Sequence, residues 1–193
     1  MTREIDLIVI GGSAGAIEVL REVLRGLSAT LRPAVAIVIH LPPEGPNVLH
    51  EVLSHAGSPP MKVAEDKEPI VPGTIYFAPP DYHLLVETGR TFALSQDDRV
   101  HYSRPAVDVL FESAAEAYGE KLLAIVLSGA NADGAAGLRA VADAGGVAVV
   151  QSLESAEVIA MPASALQAVP GSVELNVTGI AEMLLSYGER NDR

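Results

Sequence analysis

The chain has 193 residues, 49% of them hydrophobic, and a formal net charge of -12 at pH 7. This size and composition fit one globular domain with a substantial core and exclude a disordered chain. The acidic balance and an aromatic share of only 4% argue against a nucleic acid or an anionic membrane as partner, and zero cysteines exclude disulfides, thiolate metal sites and a cysteine nucleophile.

No apolar run is long enough to span a bilayer. The first strand is expected from about residue 5, which leaves no room for a cleavable signal, so a cytoplasmic location is expected. Leu7 to Ile10 form a continuous apolar run, the pattern of a strand buried on both faces. Ile17, Val19, Leu20, Val23 and Leu24 then recur at helical spacing. The segment between them, Gly11-Gly12-Ser13-Ala14-Gly15-Ala16, is therefore a tight strand-to-helix turn, with Ser13 facing the unpaired N–H groups of a helix start.

Three readings compete for this turn. Gly11, Ser13 and Gly15 satisfy G-x-S-x-G, the spacing of a serine nucleophile between strand and helix. The dinucleotide spacing G-x-G-x-x-G fails at two glycines, and the second strand ends in His40 where an acidic residue is wanted. The third reading is a glycine turn that only lets helix pack on strand. The turn alone does not choose between them.

Ala34 to Ile39 is a second buried strand, joined to the first by a right-handed crossover, and His40-Leu41-Pro42-Pro43 follows it. Pro46 is a candidate start for a helix running to about Leu53. Prolines break residues 57–99 into short pieces, with strand-like stretches near Met61 to Ala64, Thr74 to Ala78, His83 to Glu87 and Thr91 to Leu94. Thr88-Gly89-Arg90 suits a hairpin turn between the last two, and these pieces are read as antiparallel additions to a mainly parallel sheet.

Pro105 suits a helix start, with Val107, Leu110, Phe111, Ala114, Ala115 and Tyr118 forming its apolar face and Gly119 its end. Leu122 to Leu127 is a third buried strand, leaving through Ser128-Gly129-Ala130-Asn131-Ala132-Asp133-Gly134. A helix carrying Leu138, Val141 and Ala142 stops at Gly145-Gly146, and Val147 to Val150 is a fourth strand of parallel type. Helices are expected near Met161-Pro162 and from Thr178 to Ser186, with a frayed polar end over 189–193.

Three strands thus end in Ser13, His40 and the loop carrying Asp133, and side chains from separate strand ends can converge on one sheet rim. A serine hydroxyl needs an imidazole to take its proton, and the imidazole needs a carboxylate to fix its tautomer and stabilise its charge. The order Ser, His, Asp differs from the Ser, Asp, His of α/β-hydrolases. Each residue also has an ordinary explanation. Ser13 suits a helix cap, His40 a core histidine bonded to backbone, and Asp133 the N-cap of the next helix. His83 is a rival base, and Asp81 and Asp108 are rival carboxylates. His50 and His55 read as surface residues and His101 as part of a polar connector.

The chain resembles the catalytic domain of the chemotaxis protein-glutamate methylesterases, the CheB family, from about residue 5 to about residue 186. The matching stretches are residues 10–15 around Ser13, His40-Leu41-Pro42-Pro43, residues 71–80 with His83, residues 104–111, residues 127–137 around Asp133, and Ala160-Met161-Pro162. Two departures stand out: Ala16 replaces a family glycine, and Gly129-Ala130-Asn131 stands where the family has Gly-Met-Gly.

The resemblance implies a single-domain α/β fold, a doubly wound, mainly parallel, Rossmann-like three-layer sheet with an antiparallel hairpin. It implies a catalytic triad of Ser13, His40 and Asp133, with backbone N–H groups of Ala14 and Ala130 as oxyanion donors and no metal or organic cofactor. The implied hydrolase reaction demethylates glutamate methyl esters, and deamidates glutamines, on cytoplasmic helices of a methyl-accepting chemotaxis receptor. The phosphorelay receiver domain that usually precedes this domain is not expected within residues 1–193. Any control of the site is then expected from a separate regulatory protein or from substrate delivery. Two other classes remain: a serine hydrolase for a different ester or amide, and a non-catalytic or regulatory binding module of the same fold.

Overall fold

The computed structural model describes residues 4–41 and 48–188. Its centre is a seven-stranded sheet in the order β3-β4-β2-β1-β7-β8-β9, with every pairing parallel. The inner strands are β1 (Leu7–Gly12), β2 (Ala34–Ile39) and β7 (Leu122–Val126), and every residue of all three is buried. That is the physical basis of their unbroken apolar sequences: a parallel strand covered by helices on both sides has no face for water. β8 (Val147–Gln151) continues the sheet beyond β7, and β9 (Val173–Leu175) closes that edge.

Side chains alternate between two cores. Leu7 and Val9 of β1, Ala34, Ala36 and Val38 of β2, and Leu122, Ala124 and Val126 of β7 point to one face. There they meet α3 (Val107–Tyr118), α4 (Ala135–Asp143) and α5 (Ala160–Ala168). Ile8, Ile10, Ile37, Ile39, Leu123 and Ile125 point to the other, against α1 (Ala16–Arg25), α2 (Leu49–Leu53) and α6 (Val177–Ser186). The apolar stripe of α1, Val19, Leu20, Val23 and Leu24, is buried there, each side chain contributing roughly 1.5–3 kcal/mol by leaving water. Small residues mark the face where α3 approaches. A Cβ on Gly11 would lie 2.1 Å from Val107 Cγ1, so only glycine lets the start of α3 sit directly on β1.

The segment 57–99 departs from expectation. β3 (Met61–Val63) and β4 (Ile75–Phe77) are parallel members of the main sheet, not antiparallel additions. Only β5 (His83–Val86) and β6 (Phe92–Ser95) form an antiparallel pair, and they make a separate two-stranded sheet beside α3 rather than extending the large one. Phe92 and Tyr76 meet edge to face, which ties the hairpin to the sheet through side chains.

Pro105 lies two residues ahead of the first helical residue of α3, after a cis Arg104–Pro105 bond. β9 has no counterpart in the sequence reading, being only three residues long with two of them exposed. The expected helix start at Pro46, the pair Pro42-Pro43 and the frayed end over 189–193 lie outside the described residues.

Candidate active site

The strands supplying Ser13, His40 and Asp133 are neighbours in space. β1 lies between β2 and β7, and all three run the same way, so their exits share one rim. The chain leaves β1 toward β2 on one side and leaves β7 toward β8 on the other. The rim between β1 and β7 is therefore the crevice where the winding reverses, the usual ligand position of open α/β sheets.

Gly12 is in register with Ile39, which places Ser13 and His40 side by side one residue past the ladder. The backbone continues the contact: His40 N–H donates to the Gly12 carbonyl at 3.2 Å, and Ser13 N–H donates to the Ser128 carbonyl at 2.9 Å. The turn after Ser13 is of type II. Ala16 N–H donates to the Ser13 carbonyl at 3.0 Å, and Gly15 takes the left-handed conformation with φ 79°. Gly15 also begins α1 as its N-cap with no side-chain cap, so the Ser13 hydroxyl is not used to cap the helix. Ser13 itself is absent from the left-handed region, unlike the strained serine of a nucleophile elbow. Its Oγ has no hydrogen-bond partner among the described residues.

The imidazole of His40 reaches across the end of β1. Its Nε2 bonds Asp133 Oδ2 at 2.8 Å, with the His40 side chain 12% exposed and that of Asp133 0%. A neutral imidazole must donate through this nitrogen to the carboxylate, which leaves the Nδ1 lone pair free to take a proton. Asp133 does not cap its own helix, contrary to the ordinary reading: the N-cap of α4 is Gly134. The carboxylate turns instead to the start of α3, where Oδ2 accepts from Val107 N–H at 2.7 Å and Oδ1 from Asp108 N–H at 2.8 Å. Two backbone donors and the positive end of a helix thus hold a buried carboxylate in one orientation.

The loop carrying Asp133 differs from the family pattern without losing order. Asn131 replaces a glycine, yet its backbone is not left-handed, and its Oδ1 accepts from Asp133 N–H at 3.1 Å in a local turn. The backbone N–H groups of Ala14 and Ala130 have no partner among the described residues.

The rival residues are engaged elsewhere. His83 is buried, its Nδ1 accepting from Ala106 N–H at 3.2 Å while Nε2 meets the Asp98 carbonyl at 3.1 Å. Asp81 pairs with Arg104 at 2.8 Å. Asp108 is buried beside Asp133 and accepts from Gly134 N–H at 2.9 Å and Gly137 N–H at 2.7 Å. Burial, and to a lesser degree the charge of Asp133, push its carboxyl above the ordinary carboxylate value. His101 is more than a connector: its Nε2 lies 3.2 Å from Asp108 Oδ2.

His101, Asp108 and Asp133 have ligand-type atoms within 4.8 Å of one another. The oxygens of Asp133 and Oδ1 of Asp108 already accept protein donors, so internal hydrogen bonds satisfy this cluster. Beside His40 lies a shallow cleft of about 110 Å³, bordered by Leu41, Arg99, Tyr102, Ser103, Arg104 and Pro105.

Sequence reasoning missed one organising residue. Ser128 is fully buried; its Oγ donates to the Ala14 carbonyl at 2.8 Å and accepts from Val158 N–H at 2.9 Å. Its own N–H donates to the buried Gln151 Oε1 at 2.8 Å. This side chain locks the turn behind Ser13 to the exits of β7 and β8. The available signal was a serine directly after a buried strand, where water cannot satisfy it.

The CheB methylesterase family model matches residues 8–184. The chain belongs to that family. A CheB relative from Leptospira interrogans, a putative protein-glutamate methylesterase/protein-glutamine glutaminase, is 40% identical over 96% of this chain and 96% of its own length. Relatives from Rhodospirillum rubrum and Pseudomonas aeruginosa are each 37% identical over 93% and 95% of the chain, which spans 48% and 53% of their lengths. The crystal structure of the Thermotoga maritima CheB methylesterase catalytic domain superposes with a TM-score of 0.86 at 31% identity, covering 95% of this chain and 98% of that one. The mainly parallel sheet with a separate antiparallel pair is thus a CheB catalytic-domain fold. No described helix is long and apolar enough to cross a membrane.

Proposed function

We propose that this CheB-family chain is a protein-glutamate methylesterase, with deamidation of glutamine at the same site, and that Ser13, His40 and Asp133 are its catalytic triad. The observation that carries the reading is the 2.8 Å bond from His40 to the buried, helix-anchored Asp133, formed across the strand end that presents a Ser13 hydroxyl with no hydrogen-bond partner among the described residues.

His40 Nδ1 takes the Ser13 proton as Oγ attacks the ester carbonyl. The tetrahedral oxyanion is held by the backbone N–H groups of Ala14 and Ala130. Its collapse returns the proton to the leaving methoxide, so methanol departs and an acyl-serine remains. Water, deprotonated by the same nitrogen, attacks that acyl group, frees the glutamate carboxylate and restores the serine. A glutamine amide follows the same course with ammonia as the leaving group. Asp133 stabilises the imidazolium in both halves of the reaction without taking its proton. The proposed substrate is a methylated glutamate on a cytoplasmic helix of a chemotaxis receptor.

The test is incubation of the purified chain with receptor membranes carrying isotopically labelled methyl esters. Labelled methanol should be released by the wild-type chain and not by Ser13→Ala. Equal release by both would end the proposal.

A further inference from the structure

We propose that Asp108 is a positioning residue for the hydrolytic site: its Oδ1 fixes the backbone immediately behind Asp133, and so aims the Asp133 carboxylate at His40. This rests on the reading that Asp133 belongs to the triad.

The start of α3 and the start of α4 exchange caps. Asp133 precedes α4 but accepts the Val107 and Asp108 N–H groups of α3; Asp108 lies in α3 but accepts the Gly134 and Gly137 N–H groups of α4. Neither helix has a capping side chain at its own N-cap, which is Ala106 in α3 and Gly134 in α4. The exchange closes a ring in which Asp108 N–H binds Asp133 Oδ1 at 2.8 Å and the amide next to Asp133 returns to Asp108 Oδ1 at 2.9 Å. Moving either carboxylate therefore moves the other.

The packing leaves no local substitute. Gly134 is left-handed with φ 95°, and a Cβ there would lie 2.9 Å from Val107 Cγ1. A Cβ on Gly137 would lie 2.6 Å from Phe111 Cβ and 3.0 Å from Asp108 Cα, so the helices meet backbone against backbone. On the outer side His101 Nε2 holds Asp108 Oδ2 at 3.2 Å. Also near the pair is Glu112, one turn along α3, whose carboxyl is raised by burial first and then by the charges of Asp108 and Asp133. The position of Asp133 is thus set through Oδ1 of Asp108, while His101 touches only Oδ2.

The experiment compares Asp108→Ala, Asp108→Asn, His101→Ala and Ser13→Ala on the full chain. Hydrolysis of p-nitrophenyl acetate gives kcat and KM, and urea unfolding confirms that each variant is folded. Asp108→Ala should lower kcat by about 10–100-fold with KM within about twofold, the scale expected when a reacting group is misplaced by around an ångström. Asp108→Asn, which keeps an acceptor for both glycine amides, should stay within about threefold of wild type, as should His101→Ala. The downfield proton resonance of the His40–Asp133 hydrogen bond should be present in Asp108→Asn and lost in Asp108→Ala.

If Asp108→Ala does not fold, Asp108→Ser, too short to reach both amides, takes its place with the same expectation. Wild-type kcat in the folded truncation overturns the proposal, as does failure of Asp108→Asn to restore activity or a matching loss in His101→Ala. An active Ser13→Ala would instead sink the triad reading, whatever the Asp108 variants do.

Discussion

Replacing Asp133 by asparagine separates the two tasks of this side chain, because the geometry allows only two orientations of the amide. Oδ2 accepts from both His40 and Val107 N–H, while Oδ1 accepts from Asp108 N–H alone. With the amide oxygen in the Oδ2 place, the NH₂ group faces Asp108 N–H and one buried donor contact is lost. With the oxygen in the Oδ1 place, Val107 N–H loses its acceptor, and the NH₂ group can donate to His40 Nε2 only when the imidazole proton moves to Nδ1. Either orientation thus strands one backbone N–H, and the second also fixes the wrong tautomer. The stranded backbone N–H costs about 1–3 kcal/mol, offset in part by relief of the repulsion between Asp133 and Asp108.

Activity should suffer far more than stability. In the first orientation the imidazolium loses its neighbouring negative charge, and in the second Nδ1 can no longer act as a base. kcat should therefore fall by about 10² or more, toward the roughly 10⁴ seen when a serine-protease triad loses its carboxylate. Urea unfolding measures the first quantity and p-nitrophenyl acetate hydrolysis the second, with methanol release from methylated receptor as the check on the natural reaction. A folded Asp133→Asn chain with wild-type kcat would refute the role given to the His40–Asp133 bond.

Three further outcomes follow from the same geometry. Ser13→Ala and His40→Gln should each lower hydrolysis by about 10³ or more while leaving the urea midpoint nearly unchanged, and a fluorophosphonate should label the wild-type chain at Ser13 only; labelling of Ser13→Ala would count against the assignment. Gly11→Ala should cost about 1–3 kcal/mol of stability and also activity, because the added methyl group displaces Val107 and with it the two amides that hold Asp133; unchanged activity would show that the start of α3 can shift freely. The third outcome concerns pH. Because the folded chain raises the Asp108 carboxyl above its ordinary 3.8, the fold binds that proton more tightly than the unfolded chain does. The resulting stabilisation is complete below the ordinary value and lost as pH rises through the raised one. The stability of Asp108→Asn relative to wild type should therefore increase with pH across that window and then level off, and a constant difference in urea midpoint would contradict it.

The sequence by itself determined the elements whose signal is local. β1, β2 and β7 are continuous apolar runs because both their faces are covered, and the periodicity of α1 reports the single face it buries. Ser13, His40 and Asp133 were legible because each directly follows such a run or lies in the loop after it. In a parallel sheet all those exits share one rim, so proximity follows from topology without knowing any side-chain contact.

Only the tertiary structure decided the rest. β3 and β4 pair in parallel although their proline-bounded sequences read as antiparallel additions, because strand direction is set by where the chain returns, not by residue pattern. The antiparallel pair β5 and β6 stands apart since its partner surface is α3, a choice made by packing. The ordinary alternative for Asp133 was the cap of the helix it precedes, and Asp108 read as a weaker rival carboxylate. Their exchange depends on two helix starts, 25 residues apart in sequence between Asp133 and Asp108, meeting backbone to backbone over Gly134 and Gly137. Ser128 was hidden for the same reason: a buried hydroxyl acquires its role only from the partners the fold brings to it, here the Ala14 carbonyl and the Val158 amide.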